Sequence, residues 1–409
     1  MPDRDPLFYN VYRFSLLSFI LAAATGALFR YGLIYPLPEV LALDNIRHAH
    51  THLMFFNWIS PPAMAWMATR LKGSGANLPV SSIRNCLYSM LFLGFLSYPF
   101  FLFFGYGPVE LGFTTLPLSA IISGLIMFTW YWYAALYFLY RKKTKTSLAF
   151  DIFDGALIAL LVSSLGAWGV SATQFFDGLN TLIPSALTYF FLNVFTEGWA
   201  VLAAIGIIWS TVELPKPKIT SVWFYLPVLF GSMLLFPLGF SKSMITPEML
   251  ITARIGLAMI ALSLFINLFY FSQATSLKNR FLFYSILVLL ALKITVQTLS
   301  VFPTNFWIGV HGLHILYLHL VMLGFITITF IHILPFSKKP SPVLSSLFVM
   351  SVWLLLLSLI AISGFWPASL TVPNVFFRTF LIALLPLIPL LLLLFKPIFR
   401  TDNFQIFNE

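Results

Sequence analysis

The chain has 409 residues, of which 60% are hydrophobic and only 9% charged. Water-soluble domains carry about 25% charged residues, so this composition cannot build an ordinary water-facing surface and lipid must be the solvent. The single cysteine, Cys86, rules out a disulfide within the chain and any cysteine-rich metal site.

A helix needs about 20 apolar residues to cross the hydrocarbon core. Runs of that size, separated by Pro, Gly or charge, fall in chain order at 11–34, 47–70, 86–106, 114–140, 149–172, 183–211, 221–240, 248–272, 280–301, 309–335, 343–364 and 374–396. The predicted fold class is all-α: a polytopic integral membrane protein of about twelve transmembrane helices, forming one domain over residues 1–409. The runs are too long for barrel strands and lack their alternation. The polar stretch from Met1 to Asn10 and the length of the apolar run after it argue against a cleavable signal peptide.

The formal charge of +10 is spread in a pattern. Arg4 and Arg13 precede or open the first span. Arg70, Lys72 and Arg84 follow the second, and Arg141, Lys142, Lys143 and Lys145 the fourth. Lys216 and Lys218 follow the sixth, Lys278 and Arg280 the eighth, Lys338 and Lys339 the tenth, Lys396 and Arg400 the twelfth. The odd connections hold only Arg30, Arg47 and Lys242. The positive-inside rule then places both termini and every even connection in the cytoplasm. It also explains the basic charge without nucleic acid, leaving the lipid bilayer as the expected partner.

All seven histidines fall on two spans. His48, His50 and His52 open the second; His311, His314, His319 and His332 lie on the tenth. On this topology both spans begin on the outer side, which puts His50 and His319 in one broad layer. Buried imidazole in lipid is costly unless bonded, and imidazole is the usual axial ligand of b-type heme. Two helices each offering one His at similar depth make a bis-histidine cradle. No CxxCH occurs, so c-type attachment is excluded. At about 100° per residue, His48 and His52 share a face and His50 points away from them. His311, His314 and His319 lie within an arc of about 140°. His332 lies about 27 Å beyond His314 along the helix, too far for the same heme.

The segment Arg47-His48-Ala49-His50-Thr51-His52-Leu53-Met54-Phe55-Phe56 resembles the second helix of heme-copper oxidase subunit I, closest to the cbb-type oxidases and nitric oxide reductases with their Arg-x-x-His-Thr motif. The resemblance implies that His50 is an axial ligand of a low-spin heme. Tyr317-Leu318-His319-Leu320-Val321-Met322-Leu323-Gly324-Phe325 resembles the tenth helix of that family, which implies that His319 is the other ligand. The family's ligand to the oxygen-reducing heme falls on Tyr317, and its copper-site histidines on helices six and seven are missing. Its His-Pro-Glu on helix six corresponds to Phe195-Thr196-Glu197, which keeps only the Glu. The resemblance thus implies the low-spin heme without the binuclear centre, and no oxygen reduction. The first motif also resembles the His-Ala-His-Glu-Met-Leu of the NnrS family, twelve-helix heme proteins linked to nitric oxide. There, His48, His52, His311 and His314 offer a second metal site, with copper as the alternative metal.

Glu197 and Lys293 lie deep in spans six and nine, with Thr295 and Gln297 beside the latter. They read either as a buried pair fixing helix packing or as part of a proton or ligand path. Arg47, Arg254 and Arg378 are on the heme side and are candidates to neutralise heme propionates, or else snorkel to the interface. Asp151 and Asp154 are expected to serve a helix N-terminus. Trp58, Trp199 and Trp307 are expected in the interfacial belt or in packing, with cofactor lining as the alternative.

The sequence therefore points to a heme b protein of a membrane, of bacterial inner-membrane type. It would work in electron transfer with a redox partner protein or quinol, or in binding or sensing nitric oxide. The contrasting expectations are a transporter for a metal ion or heme with a histidine-rich outer cavity, and an assembly subunit with no cofactor.

Overall fold

The computed structural model describes residues 6–112, 114–173, 176, 178, 180–241, 243–274, 280–302, 310–333, 342–364, 366–367, 369–370 and 373–395. The side chains of Arg280, His311 and His332, together with Trp307, Arg4, Lys242, Lys278, Lys338, Lys339, Lys396 and Arg400, lie outside the described set.

In chain order the helices are α1 (Pro6–Gly32), α2 (43–73), α3 (Val80–Phe104), α4 (Leu118–Arg141), α5 (Leu148–Thr173), α6 (Leu182–Thr211), α7 (Leu226–Met233), α8 (Pro247–Phe271), α9 (Arg280–Val301), α10 (311–333), α11 (Pro342–Ile360) and α12 (Val375–Phe395). A two-stranded antiparallel hairpin, β1 (Val109–Glu110) and β2 (Thr115–Leu116), joins α3 to α4. Among the described residues ten helices are long and apolar enough to cross a membrane. The chain is an all-α polytopic membrane protein.

Two of the expected spans are outside those ten. α2 is a continuous rod, but it starts earlier than the expected 47–70, and its first part, Leu43–Leu53, carries Asp44, Asn45, Arg47 and three histidines. The expected span at 221–240 is not one helix. It breaks into a 3₁₀ turn at Ser221–Phe224, the eight residues of α7 and a second 3₁₀ turn at Phe236–Gly239. Pro227 and Pro237 are the cause, because each removes a backbone donor and fits only a first helical turn. Eight residues make a helix of about 12 Å, less than half of the hydrocarbon core of about 30 Å.

Consecutive helices pack side by side along the chain, and α12 returns against α1, so the bundle closes into a ring. α2, α6 and α10 meet inside it. The most apolar stretches of α6 and α10 are 83% and 67% buried, against 33% for α3 and α12, which separates inner rods from outer ones.

Each inner rod contains one π-helical segment: Met54–Ile59 in α2, Val194–Ala200 in α6 and His319–Ile326 in α10. A π turn shifts the hydrogen-bond register and disturbs the carbonyl ladder, and lipid supplies no water to repair it. Side chains do so here. Ser60 Oγ donates to Phe55 O (2.9 Å) and Thr327 Oγ1 to Met322 O (2.7 Å), each reaching back five residues. The same hydroxyls accept indole N–H groups from a neighbouring rod, Trp199 Nε1 to Ser60 Oγ (3.2 Å) and Trp58 Nε1 to Thr327 Oγ1 (2.9 Å). Both tryptophans are fully buried, so they pack the core rather than an interfacial belt.

Asn57, within the α2 π segment, ties in the outer ring. Its Nδ2 donates to Ser18 Oγ of α1 (3.2 Å) and to Leu91 O of α3 (3.1 Å). Gly94 makes this approach possible, since a Cβ there would lie 1.6 Å from Asn57 Oδ1. Gly94→Ala should therefore destabilise the protein by about 1–3 kcal/mol, the usual cost of overpacking. In an Asn57→Ala background the added cost of Gly94→Ala should shrink sharply. Thermal melting in detergent measures both, and an equal penalty in the two backgrounds would contradict the proposed contact.

Candidate functional site at the histidine end of α2 and α10

The three histidines of α2 divide as the helical period requires. His48 and His52 face α3 and the loop after it. The Tyr106 ring meets His48 edge-on with centroids 4.8 Å apart, and its hydroxyl lies 2.9 Å from His52 Nε2. His52 stacks on Phe101 with ring centroids 3.7 Å apart. Its Nδ1 is buried and has no hydrogen-bond partner among the described residues. His50 turns the other way, onto α1, where its Nδ1 donates to the Ala22 carbonyl (2.7 Å). Gly26, one turn further along α1, makes room for the ring: a Cβ there would meet His50 Cε1 and Nδ1 at 3.1 Å.

His319, the first residue of the α10 π segment, donates from Nδ1 to Ile315 O of its own helix (2.7 Å). Both imidazoles are thus held as the tautomer that keeps Nε2 as a free lone pair, the arrangement that metal-ligating histidines use. His50 and His319 lie within electrostatic reach of each other. His50, His319 and Tyr317 each keep accessible surface, and neither histidine's Nε2 makes a hydrogen bond among the described residues.

α6 changes packing at this level. Residues 184–193 are all half-buried, on every face of the helix, whereas Val194–Ile208 is buried throughout. The histidine end of the bundle is open in its interior, and the opposite half is close-packed.

Below the histidines, Glu197, Lys293, Gln297 and Tyr317 form one buried network. Lys293 Nζ is bonded to Glu197 Oε2. Lys293 Nζ also donates to Tyr317 OH (2.7 Å), and Tyr317 OH donates to Glu197 Oε1 (2.6 Å). Gln297 Nε2 donates to Glu197 Oε2 (3.3 Å). Thr295 is exposed and bonds back to Ala291 O, so it takes no part.

The other sequence candidates separate from this centre. Arg47 pairs with Asp44 at 3.2 Å on the surface, their side chains 49% and 78% exposed. Arg254 sits on α8, which packs against α7 and α9, and its buried Nε has no hydrogen-bond partner among the described residues. Arg378 is exposed on α12. His314 is half-buried on α10. Asp151 and Asp154 turn onto Arg141 of α4, at 3.2 and 3.1 Å, rather than capping α5. Among the described residues no three His, Cys, Asp or Glu side chains converge as a metal cluster requires. The suggested second site over His48, His52, His311 and His314 is therefore not assembled by its described members.

Sequence reasoning missed Arg30. Read from sequence it is one of the few basic residues of the odd connections. In the structure it is buried in α1, within electrostatic reach of both His50 and His319. Its spacing of four residues from Gly26 and eight from Ala22 was the available signal.

No protein-family model and no curated protein matches the chain. Fold and site together define a polytopic, all-α membrane protein with two carbonyl-anchored imidazoles on separate inner rods and a buried ion pair between α6 and α9.

The ion pair has a measurable consequence. Removing one partner of a buried pair leaves an uncompensated charge and costs about 3–5 kcal/mol, while replacing both by apolar or neutral groups is often neutral. Lys293→Met alone should strongly destabilise the protein, and adding Glu197→Gln should recover most of the loss. Unfolding of Lys293→Met, Glu197→Gln and the double variant in detergent measures this; additive losses would rule out a mutually dependent pair.

Proposed function

We propose that this protein binds a b-type heme between α2 and α10, with His50 and His319 as its two axial ligands, and that it serves electron transfer. The observation carrying this reading is the pair of imidazoles on two separate inner rods, within electrostatic reach of each other, each with Nδ1 held by a carbonyl and Nε2 left for a metal. The donor set fits the group: two imidazoles whose Nε2 atoms are left for the iron, loose packing of α6 at their end of the bundle, and a buried guanidinium nearby.

Heme held there would supply one-electron redox chemistry. His50 and His319 supply the ligation. The Ala22 and Ile315 carbonyls fix ring orientation and raise imidazole basicity. The Trp58 lock holds α2 and α10 at a set separation, which keeps reorganisation small. Nitric oxide binding would need one imidazole to leave, so transfer of electrons from a quinol or a redox protein is the better-supported activity.

On this reading the chain is a distant relative of heme-copper oxidase subunit I, or of the NnrS proteins, without a binuclear centre. Tyr317 supports that view, since it is engaged by Lys293 and Glu197 where the family places a heme ligand. Twelve crossings with both termini cytoplasmic, in a bacterial inner membrane, complete the proposal. The detergent-purified protein should show a six-coordinate low-spin b-heme spectrum, lost in His50→Ala and in His319→Ala and kept in His332→Ala. A wild-type preparation without heme, or histidine variants with unchanged heme content, would refute the assignment and favour a transporter.

The charge pattern gives a separate test. Reporter fusions after Pro108 and after Lys143 should report opposite sides of the membrane, with the Lys143 fusion cytoplasmic. The same side for both would break the topology without touching the heme assignment.

A further inference from the structure

Ala22, Gly26 and Arg30 follow one another at four-residue spacing, so they stack along one face of α1. The first two touch His50: Ala22 through the 2.7 Å hydrogen bond from Nδ1, Gly26 through ring contacts that would measure 3.1 Å from a Cβ. The third continues the stripe one turn further, toward the end of α1.

Arg30 is 8% exposed. It makes no hydrogen bond or ion pair among the described residues, and its guanidinium lies 6.0 Å from the ring centroid of its neighbour Phe29. A permanently charged group buried in this way needs a counter-ion. Asp44 of α2 and Glu197 of α6 are already engaged, with Arg47 on the surface and with Lys293 and Tyr317 below. Arg30 lies instead within electrostatic reach of His50 and His319, whose Nε2 atoms make no hydrogen bond among the described residues.

We infer that Arg30 is the carboxylate-pairing residue of this site, holding a propionate of the heme ligated by His50 and His319. The inference rests on the heme reading and reassigns the propionate partner from Arg47, Arg254 and Arg378. Arg47 already has Asp44, Arg254 is on a helix packed against α7 and α9, and Arg378 is exposed. A guanidinium suits the task because its planar fork meets a carboxylate with two parallel hydrogen bonds, which fixes the macrocycle's rotation as well as its charge. The three residues of the α1 stripe then divide the work. Ala22 and Gly26 seat the ligand imidazole, and Arg30 seats the edge of the group that this imidazole binds.

The test compares Arg30→Gln, Arg30→Lys and Arg47→Gln with the wild type in three measurements. These are the optical spectrum, the midpoint potential in a mediated redox titration, and the rate of heme transfer to excess apomyoglobin. Arg30→Gln should keep the six-coordinate low-spin spectrum, since neither axial ligand is altered. It should release heme at least about tenfold faster, the loss expected for a hydrogen bond to a charged group. Its midpoint should fall, because an unneutralised propionate favours ferric iron; a tenfold change in a one-electron couple is about 59 mV. Arg30→Lys keeps the charge but loses the fork, so its potential should stay near wild type while release accelerates. Arg47→Gln should match the wild type throughout. Unchanged release and potential in Arg30→Gln overturn the inference and leave the heme assignment standing. If Arg30→Gln fails to accumulate, Arg30→Lys decides, and release indistinguishable from wild type overturns it. A wild-type protein that carries no heme refutes the underlying assignment instead, and is recognised before any variant is made.

Discussion

A backbone carbonyl released by a π turn inside a hydrocarbon layer has no water to bond to, and the architecture of this protein depends on how it meets that demand. Ser60 and Thr327 each cover the carbonyl five residues back and, with the same oxygen, accept an indole N–H from a neighbouring rod. One hydroxyl therefore repairs a helix and joins two helices. The two matched locks tie α10 to α2 and α2 to α6, and Asn57 extends the lock outward to α1 and α3. Polar bonds are modest glue between membrane helices, but here they fix the register of all three inner rods at one level.

The candidate site sits at the edge of this locked layer. His319 begins the α10 π segment, and His50 lies one helical turn before the one in α2. Each histidine is therefore anchored by a rigid segment on one side and faces the loosely packed end of the bundle on the other. α1 completes the site from outside the inner trio, through a carbonyl, the absence of a side chain at Gly26 and a buried guanidinium. The free Nε2 atoms thus lie at the level where α6 is loosely packed.

The Glu197–Lys293 pair forms the floor beneath that level. Two opposite charges in a low-dielectric interior are retained only when each has further bonds, and Tyr317 and Gln297 provide them. Tyr317 connects this floor to the site, since it precedes His319 by two residues on α10 and bonds to both charged groups. The network also brings α6, α9 and α10 together, so the same residues that bound the site hold its walls.

Composition, apolar run length and the confinement of seven histidines to two segments determined the class of protein, most helix positions and the two imidazoles of interest, because lipid imposes a one-dimensional rule that can be read along a chain. The helical period also determined that His50 would point away from His48 and His52. Tertiary structure decided the rest. The π segments depend on Ser60, Thr327 and indoles from other helices, so no local pattern announces them. The break at 221–240 was legible in Pro227 and Pro237, but whether prolines kink or divide a span depends on what surrounds it. The pairing of Glu197 with Lys293 was one of two readings until the fold brought residues 96 apart in sequence into contact. Arg47 read as the partner for an anion because the expected topology puts it on the heme side, yet Asp44 one turn away pairs with it on the surface. Arg30 read as an ordinary helix-end charge because its burial against the histidines exists only once α1 packs on α2, a contact between helices that no spacing within either one encodes.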